Sequence, residues 1–418
     1  MSVGAFIADR PRLPAALTHR WIYIASIVCL LMLTLLKNDA AAFANSEFWS
    51  EYSNSPLTVV LKGNAWGLAG LASVFLGISF LRLKQIWMFP SVPILFFLFI
   101  YFFGFLRGLI GEPAFSGKMA LGFAVIATLH ILFSSIHRKG AYLLEIVNQA
   151  LHVAAFLIVG LNLLELLNGN GFVPGNVRFF GVGGHPNFTG VHMALCVLIL
   201  SGSLWDGTKI HRIVTAAFLL AAAYLLYLTG SRTGLVVMAG GMVATLVTLK
   251  MRYSSLLLLL VASIVGILIL SFSDFHFETL VSSEVYDRGG GNTRSAAWAA
   301  MWGLVLENPL IGSGQFVGNS ENSVLRGWAA IGIIYPIALV SAIAALALEV
   351  FKQGTGSIGR RFASLFALMG GLVCGSVFEG YLIDSFSFPL VIWCICLSTV
   401  SILVQARVMR RPVRKMSL

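Results

Sequence analysis

A chain of 418 residues that is 58% hydrophobic and 11% charged, with a mean hydropathy of +0.88, excludes a soluble globular domain. The formal net charge of +11 does not require nucleic acid as a partner, because the basic residues fall where a membrane protein puts them.

Arg10, Arg12 and Arg20 precede the first apolar run, which predicts a membrane span over 21–36. The long N-terminal segment and the lack of a clear small-residue cleavage site argue against a cleavable signal peptide. Further spans are predicted over 64–81, 90–106, 119–136 and 141–166. The next connection, about 167–186, ends in Arg178-Phe-Phe-Gly181-Val-Gly-Gly184-His185-Pro186-Asn187. Glycines beside an arginine and a helix N-terminus offer backbone N–H groups to an anion, and a plain Gly/Pro turn accounts for the pattern equally well. Spans over 187–204, 213–229 and 233–249 follow, the last two joined by Gly230-Ser231-Arg232-Thr233-Gly234. In so tight a hairpin Arg232 either lines a site or snorkels to lipid phosphate. A span over 254–272 leads to a long outer loop, 273–323, which begins with acidic and aromatic residues and passes through the flexible Arg288-Gly-Gly-Gly-Asn292. A helix is expected over 293–307, carrying Arg294, Trp298 and Trp302, at the outer interface or over a cavity. After Asn308-Pro309 and a turn at Gly312 and Gly314, Glu321-Asn322-Ser323-x-Leu325-Arg326 opens a span over 324–348. Spans over 362–378 and 386–404 complete twelve. Glu379 and Asp384 bracket the hairpin between them, either holding acceptor hydroxyls or standing in solvent.

With the N-terminus inside, 19 of the 28 basic residues fall in inside segments, and every such segment holds some. Both termini are therefore expected in the cytoplasm, with the basic tail against anionic lipid heads. The other nine face outward, as do most of the acidic residues. An ordinary mixed-charge surface suits Lys37 or Glu47. It suits Arg178, Arg232, Arg294 and Arg326 poorly, because they sit beside or within apolar spans, where a charge costs about 2.5–3.5 kcal/mol. Such residues usually face a wet cavity. The five cysteines all lie within spans and indicate no disulfide framework. His152 and His192 also lie within spans and are read mainly as bridges between helices. The expected fold is all-α: one polytopic membrane domain over 1–418, with about twelve transmembrane helices and a large periplasmic loop over 273–323.

Three patterns occur in a fixed order: the Arg178–Asn187 element, the Ser231-Arg232 hairpin, and a loop bearing Arg294-x-x-x-Trp298, Pro309-Leu-x-Gly312-x-Gly314 and the segment up to Gly332. Together they resemble the bacterial O-antigen ligase/polymerase family, the Wzy-type membrane glycosyltransferases. The resemblance implies a C-type glycosyltransferase fold and assigns Arg178, Arg232 and Arg294 to the lipid pyrophosphate; Arg288 and Arg326 join them as candidates. Many members carry a histidine before the asparagine at the loop's end, as the proposed catalytic base. Here the residue is Glu321, a departure that leans toward a polymerase rather than a ligase.

The residues agree with that class. There is no G-x-x-x-x-G-K-[ST] loop for nucleotide phosphates and no D-x-D pair for a nucleotide sugar. A polyprenyl-pyrophosphate-linked oligosaccharide suits the outer arginines instead, since guanidinium forks bind phosphate oxygens bidentately and replace a divalent metal as charge sink. No cofactor and no metal are expected. Glu321 is the first candidate base and His185 the second; an ion pair with Arg326 or a helix-capping role is the alternative for Glu321, and a turn hydrogen bond for His185. Glu379, Asp384 and Asn322 are candidates for holding the acceptor. The expected function is polymerisation of lipid-linked repeats for O-antigen or exopolysaccharide, at the periplasmic face of the bacterial inner membrane. The alternative is ligation of finished glycan onto lipid A-core, and a secondary transporter or flippase is the competing class. Membrane lipids and a chain-length regulator complete the expected partners.

Overall fold

The computed structural model describes residues 15–36, 54–81, 88–136, 140–172, 178–204, 208–248, 293–315, 317, 322–352, 359–383 and 386–409. These residues are nearly all helical. In chain order the helices are α1 (Ala15–Leu36), α2 (Pro56–Gly63), α3 (Ala65–Leu81), α4 (Val92–Ile110), α5 (Pro113–Ile136), α6 (Gly140–Leu167) and α7 (Pro186–Ser203). They continue with α8 (Lys209–Leu228), α9 (Arg232–Thr248), α10 (Thr293–Glu307), α11 (Ser323–Ile331), α12 (Ile334–Lys352), α13 (Gly359–Gly375) and α14 (Phe388–Met409). A single 3₁₀ turn covers Tyr381–Ile383, and the only extended pairing among the described residues is an isolated bridge between Phe172 and Phe179.

Six of these helices are long and apolar enough to cross a membrane, seven if α2 and α3, which meet at a 56° bend, form one span. The protein is a polytopic membrane protein. The expected span over 254–272 lies outside the described residues. The expected span over 324–348 is broken: α11 stops at Gly332, whose φ of 92° is left-handed, and α12 starts two residues later. Built onto that glycine, a Cβ would lie 2.2 Å from the carbonyl oxygen of Leu310, so the break also lets the turn after α10 press against the backbone.

α14 is the central post, with Trp393, Leu390, Ile395 and Leu397 all buried. α8 is peripheral and turns Ile210, Ile213 and Leu220 outward, as a lipid-facing helix does. Glycine lets α9 approach both neighbours closely. A Cβ at Gly234 would lie 2.7 Å from the carbonyl oxygen of Gly190 on α7, and one at Gly371 of α13 would lie 2.5 Å from that of Val237 on α9. Close backbone approach through small residues is how helices associate where lipid removes the hydrophobic drive between them. Here it brings the starts of α7 and α9 and the end of α13 to one pole of the bundle. At the other pole Arg20 donates to Glu145 at 2.6 Å and to Gln149 at 3.0 Å, tying α1 to α6.

Candidate active site

Four chain segments meet at that pole. The first is the turn before α7. Gly181 and Gly184 take φ of 56° and 66°, which lets the chain double back between Phe180 and His185. Val182 N–H donates to Asn162 Oδ1 of α6 at 3.0 Å, and Thr189 Oγ1 donates to the carbonyl of Phe180. His185 is the N-cap of α7: its Nδ1 accepts from Asn187 N–H at 3.1 Å, and its ring lies against Phe188.

The second segment is the hairpin between α8 and α9. Arg178 reaches across to it. Its Nε donates to the carbonyl of Thr229 at 2.8 Å, while Nη2 donates to Asn187 Oδ1 at 3.0 Å and to the carbonyl of Gly230 at 3.5 Å. One guanidinium thereby fastens the hairpin to the first turn of α7. Ser231 Oγ accepts Gly234 N–H at 3.1 Å and caps α9, so Arg232 is that helix's first residue, partly buried.

The third and fourth segments are stitched together. Asn322, with φ of 62°, is the one non-glycine residue in left-handed geometry among the described residues. Its Oδ1 accepts Val324 N–H at 2.9 Å and Leu325 N–H at 3.1 Å, capping α11. Ser323 N–H donates to the carbonyl of Ser376 at 2.8 Å, Ser323 Oγ donates to that of Glu379 at 2.7 Å, and Leu382 N–H returns a bond to the same hydroxyl at 3.2 Å. Arg326, one turn into α11, is buried and donates to the carbonyl of Gly380 at 3.4 Å. Glu379 is buried too, and its Oε1 accepts from Thr233 Oγ1 at 3.2 Å, which links this loop to the residue next to Arg232. Burial, with the Glu379 charge alongside, raises the Tyr381 phenol well above its ordinary range, so it stays protonated and donates a hydrogen bond to the carbonyl of Leu372.

Between these segments and the end of α1 lies a small, open-mouthed pocket, lined among others by Thr34, Gly183, His192, Arg326, Glu379 and Tyr381. Two charged side chains and a histidine in the wall of a partly apolar cleft are what a polar ligand requires.

Of the residues singled out in the sequence, Arg326 and Glu379 line this pocket, and Arg178, His185, Arg232 and Asn322 belong to the segments that frame it. Arg294 falls in the first turn of α10. Glu321, Arg288 and Asp384 lie outside the described residues. The two span histidines separate: His152 Nδ1 meets Ser203 Oγ at 2.7 Å and bridges α6 to α7 as expected, whereas His192 is in the pocket wall with its ring edge-on to Phe388. The capping role weighed for Glu321 belongs to Asn322. Sequence reasoning missed Thr34, Thr233, Asn162 and Glu165. The last two gave a signal, being polar residues three apart near the outer end of an apolar span.

The O-antigen ligase family model, Wzy_C, matches residues 216–336. The chain carries an O-antigen ligase-family domain. It runs from α8 to the start of α12 and so includes Arg232, Arg294, Glu321, Asn322 and Arg326. The turn before α7 and the Glu379 loop lie beyond the Wzy_C match and join it only in space. The curated proteins contain no match. O-antigen ligase-family proteins act on lipid-linked glycans with glycosyltransferase-like activity, and polymerase and ligase are not separated by the match.

Proposed function

We propose that the protein polymerises polyprenyl-pyrophosphate-linked oligosaccharide repeats at the periplasmic face of the inner membrane. The observation that carries this reading is the meeting of the Arg232 hairpin, buried Arg326 and buried Glu379 around one pocket, at the pole opposite Arg20. The acceptor hydroxyl oxygen attacks the anomeric carbon of the donor sugar. The bond from that carbon to the phosphate oxygen breaks, the pyrophosphate leaves with the electron pair, and the hydroxyl proton passes to a carboxylate base, assigned to Glu321. Arg232, Arg294, Arg288 and Arg326 neutralise the leaving pyrophosphate without a metal. Arg178 holds the hairpin in place with three backbone and side-chain bonds and presents the same cluster. Glu379, Asn322 and Asp384 hold the acceptor sugar.

The test is reconstitution of the purified protein with a lipid-linked repeat, with and without a second acceptor. A ladder of products without added acceptor supports polymerisation. Single transfer that requires lipid A-core supports the ligase, the second reading, and no glycosidic product leaves a transporter or flippase. Orientation is tested separately: a periplasm-active reporter should work when fused after Asn292 and fail after Lys209 or Gly356. The opposite pattern overturns the lipid-pyrophosphate assignment.

A further inference from the structure

The helix inside the long outer loop is built for a lipid surface rather than for water. Fifteen residues at 1.5 Å each give α10 a length of about 22 Å, short of the ~30 Å hydrocarbon core. One face is spent on the protein: Met301 and Val305 are buried, and Trp298 lies 6.3 Å from Phe378, the neighbour of Glu379. The opposite face and the turn after it expose Trp302 (44%), Leu306 (63%), Leu310 (71%) and Ile311 (53%). Between Ala296 and Gly312 the single charge is Glu307. A helix in an aqueous loop would set polar residues on its free face.

What covers this face follows from its neighbours. The turn is fixed to the outer end of transmembrane helix α4, where Arg107 Nε donates to the carbonyl of Ile311 and Nη2 to that of Gly312, both at 2.9 Å. The end of α4 itself exposes Ile110. The apolar face of α10 thus continues the lipid-facing wall of the bundle. Trp302 packs edge-on to Trp328 at 5.7 Å, and the Trp328 indole N–H donates to the carbonyl of Pro309 at 2.8 Å, the arrangement of an interfacial tryptophan belt. We propose that α10 and the turn after it form an in-plane anchor, with their free face among the acyl chains and headgroups of the outer leaflet. The loop helix then sits at the depth of a lipid headgroup and touches the Glu379 loop through Trp298.

A nitroxide placed at Leu306→Cys and at Leu310→Cys in proteoliposomes tests this, after subtraction of the signal from labelled parent protein. Collisions with oxygen, which concentrates in the acyl region, should exceed those with a water-soluble nickel chelate at both positions. Dominance of the chelate overturns the anchor. So does shielding from both reagents, which marks a protein partner or a second copy on this face. Intrinsic fluorescence gives a reading that needs no new cysteine: lipids brominated near the headgroup end should quench wild-type emission more than that of Trp302→Phe. Equal quenching also overturns the proposal.

Discussion

Two carboxylates near one pole of the bundle are both buried, yet they stand in opposite kinds of surroundings. Glu165 of α6 is fully enclosed: it accepts from Ser55 N–H at 2.9 Å, from Ser55 Oγ at 2.6 Å and from Thr58 Oγ1, and so pins the first turn of α2 to α6. Glu379 accepts from Thr233 and lines an open pocket beside Arg326. A buried charge costs free energy that must be offset by partners. At Glu165 the fold supplies donors that stay in place whatever is bound. At Glu379 part of the surroundings is an open pocket. The first arrangement belongs to a brace and the second to a site, and burial alone does not tell them apart.

The largest expected effects lie on the pocket side. Arg232→Ala should lower glycan transfer by about 10²–10³-fold, the range for losing a preorganised charge partner of the leaving group, with insertion and folding unchanged. Arg232→Lys should recover part of this, because a point charge does not reproduce the fork. Glu379→Gln keeps the shape and the Thr233 bond and should cut transfer by at least tenfold while thermal unfolding stays near wild type. Wild-type turnover in Arg232→Ala reduces that residue to a lipid snorkel. Normal turnover in Glu379→Gln erases the contrast with Glu165.

On the brace side the pattern should invert. Glu165→Ala leaves the Ser55 and Thr58 donors without their acceptor and should cost about 1–3 kcal/mol of stability, read as earlier thermal unfolding. Turnover of the folded fraction should stay within a few-fold of wild type. A large loss of rate at unchanged stability would move Glu165 into the site.

The contrast shows what was legible beforehand. Apolar run lengths gave the helices and the basic residues gave the expected orientation, because both signals are local. Arg178, Arg232, Arg294 and Arg326 stood out as charges beside apolar spans, and Glu379 only as one end of the last outer hairpin. Their division of labour was not legible: whether a guanidinium grips carbonyls, as Arg178 does, or borders a cavity, as Arg326 does, depends on segments more than fifty residues away. The break at Gly332 was hidden because hydrophobicity runs straight through it. His152 and His192 read alike, as histidines in spans, until the packing gave one a partner in Ser203 and the other a place in the pocket wall.

The smallest effects concern His185 and sharpen the comparison from its edge. His185 belongs to the pocket's frame, yet its Nδ1 accepts Asn187 N–H, a brace's function. His185→Asn supplies an oxygen acceptor at the cap in place of the ring nitrogen and should preserve both stability and transfer. His185→Ala should cost about 1 kcal/mol, the usual price of an N-cap, and slow transfer only a few-fold, by loosening the helix start to which Arg178 is bonded. If His185 were the base that deprotonates the acceptor, asparagine would fail as badly as alanine, with a loss of about 10²-fold or more and no change in unfolding temperature. Measuring both variants for turnover and thermal unfolding therefore separates the two roles, since only a cap is rescued by a residue that accepts a hydrogen bond and cannot take up a proton near neutral pH.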